Sequence, residues 1–143
     1  MPDLKFFTRE AAMEKATDIK AALALSKLRF FKSTFAPTAW STKAELVAEE
    51  VAFDGYTAGG YTLTAWTGPV FDPDGGALIT SPIVNVAYGP AEAPPVTGLI
   101  GGYWIEDAAG GVRVVVKYAD ARSMGAVGDG FPWVEQMVEG RNP

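Results

Sequence analysis

Carboxylates are the side chains of this sequence that come closest to a catalytic pattern. A pair of them at the correct separation would supply the acid and base of glycoside hydrolysis. Next to glycines or at strand ends, however, carboxylates are typical of ordinary turns. No two of them can be placed at that separation from the sequence, so turns are the favoured interpretation. The candidates are Asp54, Glu106, Asp107, Asp120 and Asp129.

Two glycine-containing motifs resemble ligand sites without completing them. Asp72-Pro73-Asp74-Gly75 begins like a calcium loop, but the twelfth position of that loop is Ile83 and not a glutamate. The same residues are strong turn formers, so we expect a turn over 72–76. The glycine-rich segment 98–102 has neither dinucleotide nor P-loop spacing and leads into a predicted strand. We expect close strand packing or a β-bulge there.

Most remaining catalytic chemistry is excluded by composition. The 143 residues include no cysteine and no histidine. Disulfides, thiolate ligands and a Ser-His-Asp triad are therefore impossible. The commonest general base and the commonest ligand for zinc, copper and non-haem iron are also missing. We expect a protein that is not an enzyme and that holds no metal and no cofactor.

Aromatic residues are the more informative set, because exposed Trp and Tyr anchor protein interfaces and also stack on sugars. A hydrophobic core is the alternative, and for most of the aromatic residues it is favoured. Trp66 and Trp104 each fall out of phase with an apolar neighbour, so one of them is expected to face a partner. The candidate interface residues are Phe6, Phe7, Trp40, Trp66, Trp104 and Trp133.

The charge pattern bears on partners and on location. The net charge is −5, and the acidic excess elsewhere compensates the one basic cluster, Lys27, Arg29 and Lys32. We therefore expect no nucleic-acid partner. No apolar run approaches the ~20 residues of a membrane span, so no membrane partner is expected. The segment 1–5 lacks the features of a signal peptide, which predicts synthesis in a cytoplasm without export by its own signal.

Two helices are predicted. Thr8 is a suitable N-cap for the first, whose apolar stripe recurs at spacings of three and four through Ala12, Ala16, Ile19 and Leu23. A capping box at 42–45 predicts a second, short helix over 42–50. The alanine-rich stripe buries little area of its own. We expect the N-terminal segment to dock outside its own sandwich, with Phe6 and Phe7 as anchors; packing on its own sheet is the alternative.

The rest of the chain predicts short strands separated by turns. Gly68-Pro69 is expected to end one strand, and the segment 90–95 is expected to be an irregular connection. A turn over 107–111 joins the clearest hairpin, in whose second strand Val112, Val114 and Val116 are expected to share a face. The predicted strands are 27–32, 61–66, 77–80, 83–88, 99–106, 112–118 and 133–138.

Close strand spacing without intervening helices predicts the fold class. We expect a mainly β protein, an antiparallel β-sandwich or barrel with an N-terminal α-helix and one further short helix. The length is typical of one domain. The predicted domain is 1–143, made of an N-terminal helical segment over 1–26 and a β-rich core over 27–143.

Several motifs, taken in order, resemble a family of small, uncharacterised virion structural proteins of tailed phages. They span about 28–135, and their order matters more than any single one. The final match, Gly128-Asp129, is the weakest. The motifs are Lys27-Leu28-Arg29-Phe30-Phe31-Lys32-Ser33 with Pro37, Ala52-Phe53-Asp54-Gly55-Tyr56, Leu63-Thr64-Ala65-Trp66, and Gly101-Gly102-Tyr103-Trp104-Ile105-Glu106-Asp107-Ala108.

The resemblance implies a non-enzymatic structural role in a bacteriophage virion. The expected role is capsid decoration (cement) or a tail-associated component, acting through contacts with other virion proteins. A homo-oligomer or a symmetric assembly is expected, with synthesis in the host cytoplasm. The alternative function is a carbohydrate-binding module or a receptor-binding tail protein that uses exposed Trp and Tyr side chains.

Overall fold

Antiparallel β-strands make up most of the structure, and two α-helices accompany them in the residues described. The computed structural model describes residues 8–53, 55–73, 75–89, 99–124 and 129–139. The helices are α1 (Arg9–Ala22) and α2 (Lys43–Ala48). The strands are β1 (Ser26–Lys32), β2 (Tyr61–Leu63), β3 (Thr67–Phe71), β4 (Ala77–Thr80), β5 (Val84–Ala87), β6 (Leu99–Glu106), β7 (Val112–Ser123), β8 (Gly130–Trp133) and β9 (Gln136–Glu139). The predicted fold class is confirmed.

The strands form three sheets in a sandwich-like arrangement. Sheet A has the order β2-β1-β6-β7, sheet B the order β3-β4-β9, and sheet C pairs β5 with β8. Every neighbouring pair is antiparallel. The predicted hairpin is the β6–β7 pair, closed by a hydrogen bond of 2.8 Å from the Asp107 N–H to the Gly111 carbonyl. Between β3 and β4, the Asp72 N–H donates to the Gly76 carbonyl at 3.0 Å, as in the turn predicted over 72–76, of which Asp74 lies outside the described residues.

Sheet A has apolar packing on both of its faces. Phe30 points into the main core, which also takes residues from α1 and from sheets B and C. The next residue, Phe31, points to the opposite face and packs with Leu46 of α2 and Trp104 in a second cluster. Both phenylalanines are fully buried. Neighbouring side chains on a strand alternate between faces, so this one dipeptide contributes to two separate cores.

Helix α1 packs on the chain's own sheet B, which is the arrangement given above as the alternative to docking outside the sandwich. Thr8 caps the helix as predicted, its hydroxyl oxygen accepting from the Ala11 N–H at 3.1 Å. Ala12 and Ala16 are buried in the main core, and so is the capping residue Leu23. Small side chains allow the helix to approach the sheet closely, so the chain itself covers the described stripe residues Ala12 and Ala16. Phe6 and Phe7 lie outside the described residues.

Several strand boundaries differ from the prediction. The strand predicted over 61–66 ends at Leu63. Gly68-Pro69 does not end a strand but lies inside β3, where the register shifts between Thr67 and Val70. A proline has no N–H to give to a ladder, and an irregularity of this kind accommodates it. The strand predicted over 133–138 is two strands, β8 and β9, which belong to different sheets.

Strand β7 is longer than predicted, and its first residues do not share one face. Val114 and Val116 pack against the main core, but Val112 packs against the second cluster. The register shifts between Ile105 and Glu106, so the strand changes phase after Val112.

A second shift lies between Ile100 and Gly102. A Cβ on Gly102 would lie 2.1 Å from the Val116 carbonyl oxygen, so the predicted close packing at 98–102 is confirmed there. The predicted connection at 90–95 lies outside the described residues.

Candidate interaction surface

A buried ionic network crosses the outer face of sheet A, the face that carries the second cluster. Arg29 of β1 binds Glu50 with two hydrogen bonds, of 2.9 and 2.8 Å, and binds Glu106 of β6 with a third of 2.9 Å. The side chains of Arg29, Glu50 and Glu106 are only 11%, 9% and 5% exposed. The guanidinium also lies 4.9 Å from the centre of the Trp104 ring. Paired and hydrogen-bonded charges of this kind are the form in which ions are tolerated inside proteins.

Further donors complete the hydrogen bonding of the Glu50 carboxylate. Tyr56 donates its hydroxyl to Glu50 at 2.6 Å, and the Gly59 N–H donates to the same oxygen at 3.2 Å. Burial alone would raise the pKa of Glu50, but hydrogen bonds from Arg29 and Tyr56 outweigh it and lower that pKa. Burial, followed by the hydrogen bond to Glu50, raises the pKa of Tyr56 well above its ordinary value. Glu50 is therefore ionised and Tyr56 neutral at pH 7.

The lowered pKa of Glu50 makes stability depend on acid pH. Its ionised form stabilises the fold above the ordinary carboxyl pKa of 4.5, and this contribution is lost as the pH falls through the lower folded value. We expect Glu50→Gln to lower the free energy of unfolding by about 1.5–3 kcal/mol at pH 7. Below pH 4.5 the gap from wild type should narrow. Urea unfolding between pH 7 and pH 3 measures both effects.

Glu45→Gln is the control for this series, because Glu45 is an exposed residue of α2. We expect it to follow the wild-type pH profile throughout. A Glu50→Gln gap that stays constant across the pH range would contradict a role for the ionised carboxylate.

Of the predicted carboxylate candidates, Glu106 and Asp107 are held by ion pairs and hydrogen bonds of their own. Glu106 is occupied by Arg29, by Lys43 at 3.3 Å and by the Trp104 indole N–H at 2.9 Å. Asp107 accepts from the Ala109 and Gly111 N–H groups of its own turn and pairs with Arg113. Asp120 is exposed on β7, Asp129 lies 3.4 Å from the Ser123 hydroxyl, and Asp54 is outside the described residues.

Three of the four candidate tryptophans lie inside the protein, so the expectation that they face a partner is corrected. Trp66 is 6% exposed and donates its indole N–H to Ser26 at 3.2 Å. Trp104 is fully buried in the second cluster, and Trp133 is 4% exposed beside Tyr103. The out-of-phase position of Trp104 has a simple cause: sheet A is covered on both faces. An indole pointing away from the main core still reaches an apolar site.

Trp40 differs from the other three, because its side chain is 90% exposed. It sits in a turn fixed by local hydrogen bonds. The Ser41 N–H donates to the Thr38 carbonyl at 3.1 Å, and the Thr38 N–H donates to the Ser41 hydroxyl at 2.8 Å. The Trp40 N–H donates to the Thr38 hydroxyl at 3.2 Å. The backbone therefore presents the indole from an ordered turn.

The base of this loop is attached to sheet A. Phe35 packs edge-on against Phe31, with 5.6 Å between ring centres. Lys117 of β7 donates to the Ser33 and Phe35 carbonyls at 3.0 and 2.9 Å. The loop and β7 are thus held a fixed distance apart. We call the loop over 37–41 the Trp40 loop.

A groove of about 550 Å³ separates the Trp40 loop from the first half of β7. We call it the β7 groove. Its lining includes two cations, Arg113 and Lys117, and no carboxylate. The charged side chains that line the groove are thus both positive on a protein of net charge −5, and one of them, Arg113, pairs with Asp107 beside the groove. Its lining residues are Pro37, Thr38, Ala39, Ser41, Val112, Arg113, Val114, Val115 and Lys117.

A second groove, of about 480 Å³, lies at the far end of β7. There the Arg122 guanidinium lies between two rings, 4.6 Å from the centre of Tyr118 and 4.8 Å from that of Phe131. Sequence analysis did not single out Arg122 or the Arg29 network. Both depend on strand pairing between distant segments, which leaves no local pattern.

The described residues contain neither a candidate metal site nor a membrane-spanning helix. Within the described ranges no cluster of three or more His, Cys, Asp or Glu side chains is placed to hold a metal ion. No helix in those ranges has the length and apolar character needed to cross a membrane. Compared with protein-family models, curated proteins and solved structures, the chain matches none of them.

Proposed function

We propose that the protein is a non-enzymatic structural component of a tailed-phage virion. It acts by binding other virion proteins as a capsid decoration protein or a tail-associated component. The surface that makes the contact is the Trp40 loop together with the β7 groove. The observation that carries the proposal is Trp40, 90% exposed in an ordered turn.

An indole in this position fits an interface anchor. Tryptophan is among the residues most enriched at the energetic centres of protein interfaces. Exposing it fully in a monomer forgoes the burial of a large apolar surface, roughly 25 cal/mol for each Å². Its turn is already ordered, so little conformational entropy is lost when a partner covers it. These properties support protein binding as the role of this loop.

The resemblance to phage virion proteins supports the virion as the place where this contact is made. Its motifs supply Arg29, Phe31, Tyr56, Trp104 and Glu106, which make up much of the ionic network and the second cluster. These residues form the part of sheet A against which the base of the Trp40 loop packs. The motif residues thus stabilise the fold, and the Trp40 loop and the β7 groove are the surfaces that bind the partner.

The proposal is tested in two steps. The first is the gene neighbourhood, where portal, major capsid and tail genes are expected. The second is electron microscopy and mass spectrometry of purified particles from the same phage, which are expected to contain the protein at a fixed, symmetric position. Particles that lack the protein while it accumulates in the infected cell would overturn the proposal.

Trp40→Ala separates binding from folding. We expect it to change the free energy of unfolding by no more than about 0.5 kcal/mol, since the side chain is solvated. Incorporation into particles should fall about tenfold or more, as for the loss of a central interface residue. Ile83→Ala is the matched control, because Ile83 is 70% exposed but belongs to the chain entering β5. Equal incorporation of both variants would remove Trp40 from the interface.

Carbohydrate binding is the second candidate function, and the same exposed indole favours it. A flat aromatic surface beside an open groove suits stacking on a sugar ring. A receptor-binding tail protein would combine this activity with a place in the virion. Titration with host-surface glycans, followed by tryptophan fluorescence, distinguishes the two. Saturable binding lost in Trp40→Ala, without any protein partner, would favour the carbohydrate function.

A further inference from the structure

The outer edge of β7 is a strand edge of unusual length. β7 is the last strand of sheet A, and among the described residues it pairs with β6 alone. It has 12 residues and contains no proline. Exposed strand edges present unpaired N–H and C=O groups that can pair with another chain, and proteins normally shorten, bend or cover them.

The register shows which backbone groups of β7 face outward. The Lys32 N–H donates to the Glu49 carbonyl, and the Phe30 carbonyl accepts from the Val51 N–H. Backbone groups of successive residues in a strand point to opposite sides, so those of Arg29 and Phe31 point to β6. By the same alternation, Tyr103 and Ile105 of β6 point theirs to β7 and exchange bonds with Val116 and Val114. The N–H and C=O groups of Val115 and Lys117 therefore point away from the sheet. No described backbone group outside the sheet bonds to them.

The β7 groove runs along this edge. Val115 and Lys117 line it, and the Trp40 loop forms the opposite wall. The face of β7 towards the groove alternates a cation, an apolar residue and a cation: Arg113, Val115 and Lys117. An extended chain in the groove can pair with the free backbone groups while its side chains meet this pattern.

We propose that the β7 groove binds an extended, acidic segment of a partner protein, which adds to sheet A as a strand. The inference rests on the proposed function, because it names the chemistry of the partner at the same surface. Carboxylates of the segment pair with the Lys117 ammonium and with the Nη atoms of Arg113, whose Nε already donates to Asp107. An apolar side chain between them lies on Val115, and the Trp40 loop flanks the segment on its other side.

Charge argues against a second copy of β7 as the occupant. Antiparallel pairing of two β7 strands brings two Arg113 and two Lys117 cations onto one shared face, and like charges across a ladder are destabilising. Each chain also has a net charge of −5, so two copies repel overall. A foreign acidic segment would meet the Lys117 ammonium, which has no carboxylate partner among the described residues, and the remaining guanidinium donors of Arg113, whose Nε pairs with Asp107.

The experiment uses the full chain and a synthetic probe, an acetylated octapeptide of alternating Glu and Val. Amide hydrogen exchange is followed by NMR with and without the peptide. In the free protein the amides of Val115 and Lys117 should exchange rapidly, and those of Val114 and Val116 slowly. The Glu peptide should slow Val115 and Lys117 at least about tenfold near saturation. A peptide with Lys in place of Glu should leave them unchanged.

Two variants separate strand addition from other binding. Val115→Pro removes an outward N–H that β6 does not use, and edge strands tolerate proline at such positions. Val115→Thr keeps the N–H and is the matched control. We expect Val115→Pro to raise the dissociation constant of the Glu peptide at least about tenfold, and Val115→Thr to change it less than about threefold. Should Val115→Pro fail to fold, the exchange pattern of the wild-type protein carries the test.

Four results would overturn the inference. The first is that the Glu peptide does not protect the Val115 and Lys117 amides at any concentration, and the second is that both peptides protect them equally. Slow exchange of these two amides in the dilute free protein would mean that the chain covers its own edge. Protection that rises with protein concentration alone would make a second copy the occupant. Particle incorporation is measured independently, so failure here is distinguishable from failure of the virion role.

Discussion

Replacing Arg29 by Ala is expected to lower the free energy of unfolding by about 3–5 kcal/mol. The substitution leaves Glu50 and Glu106 buried, close together and without their shared cation. Glu106 keeps Lys43 and Glu50 keeps the Tyr56 hydroxyl, but the removal of the cation that both share breaks a mostly buried ion-pair network, which is among the larger effects of one substitution. Guanidinium chloride unfolding at pH 7, monitored by tryptophan fluorescence, measures the loss.

Arg113→Ala is the matched control, because Arg113 also pairs with a carboxylate, that of Asp107 at 2.9 Å. Its side chain is 46% exposed, and surface pairs contribute only about 0–1 kcal/mol. The two arginine variants should therefore differ severalfold in their effect. An Arg29→Ala loss no larger than that of Arg113→Ala would mean that water reaches the network freely.

Trp104→Ala should destabilise the protein by about 3–5 kcal/mol as well, but by a different route. The indole is fully buried against Phe31 and Leu46, so its removal leaves a cavity between α2 and sheet A. It also removes the N–H that donates to Glu106 at 2.9 Å. Thermal unfolding and urea titration should agree on the loss.

Trp40→Ala is the reference for this second prediction, since it makes the same chemical change at a site that is 90% exposed. We expect the two tryptophan variants to differ by at least about 2.5 kcal/mol, because only one removal creates a cavity. Similar losses in both would show that Trp104 is less buried in solution than it is in the fold described here.

The local elements could be predicted from the sequence, because their signals lie within a few residues. Thr8 and Thr42 cap the helices that follow them. The turn over 107–111 closes its hairpin with the expected hydrogen bonds. In each case the residue type that forms the element is next to the element it forms.

The pairing of distant segments could not be predicted in this way. Arg29 and Glu106 are 77 positions apart, and no local pattern in β1 or β6 predicts that the two side chains pair. Alternation also fails as a guide to exposure where both faces of a sheet are covered, which is why Trp104 was expected to face a partner. The phase change after Val112 depends on a register shift that only the β6–β7 pair reveals.

The adjacent phenylalanines of β1 also determine how the chain selects one register during folding. A one-residue slip exchanges the two faces of a strand, and normally the exchange is costly because apolar side chains move into water. Here a slip would move Phe31 into the place of Phe30, so hydrophobicity distinguishes the two registers poorly at this point. It would also turn Arg29 into the main core, away from Glu50 and Glu106. The ionic network thus adds discrimination against a misaligned strand at the position where the two phenylalanines provide little.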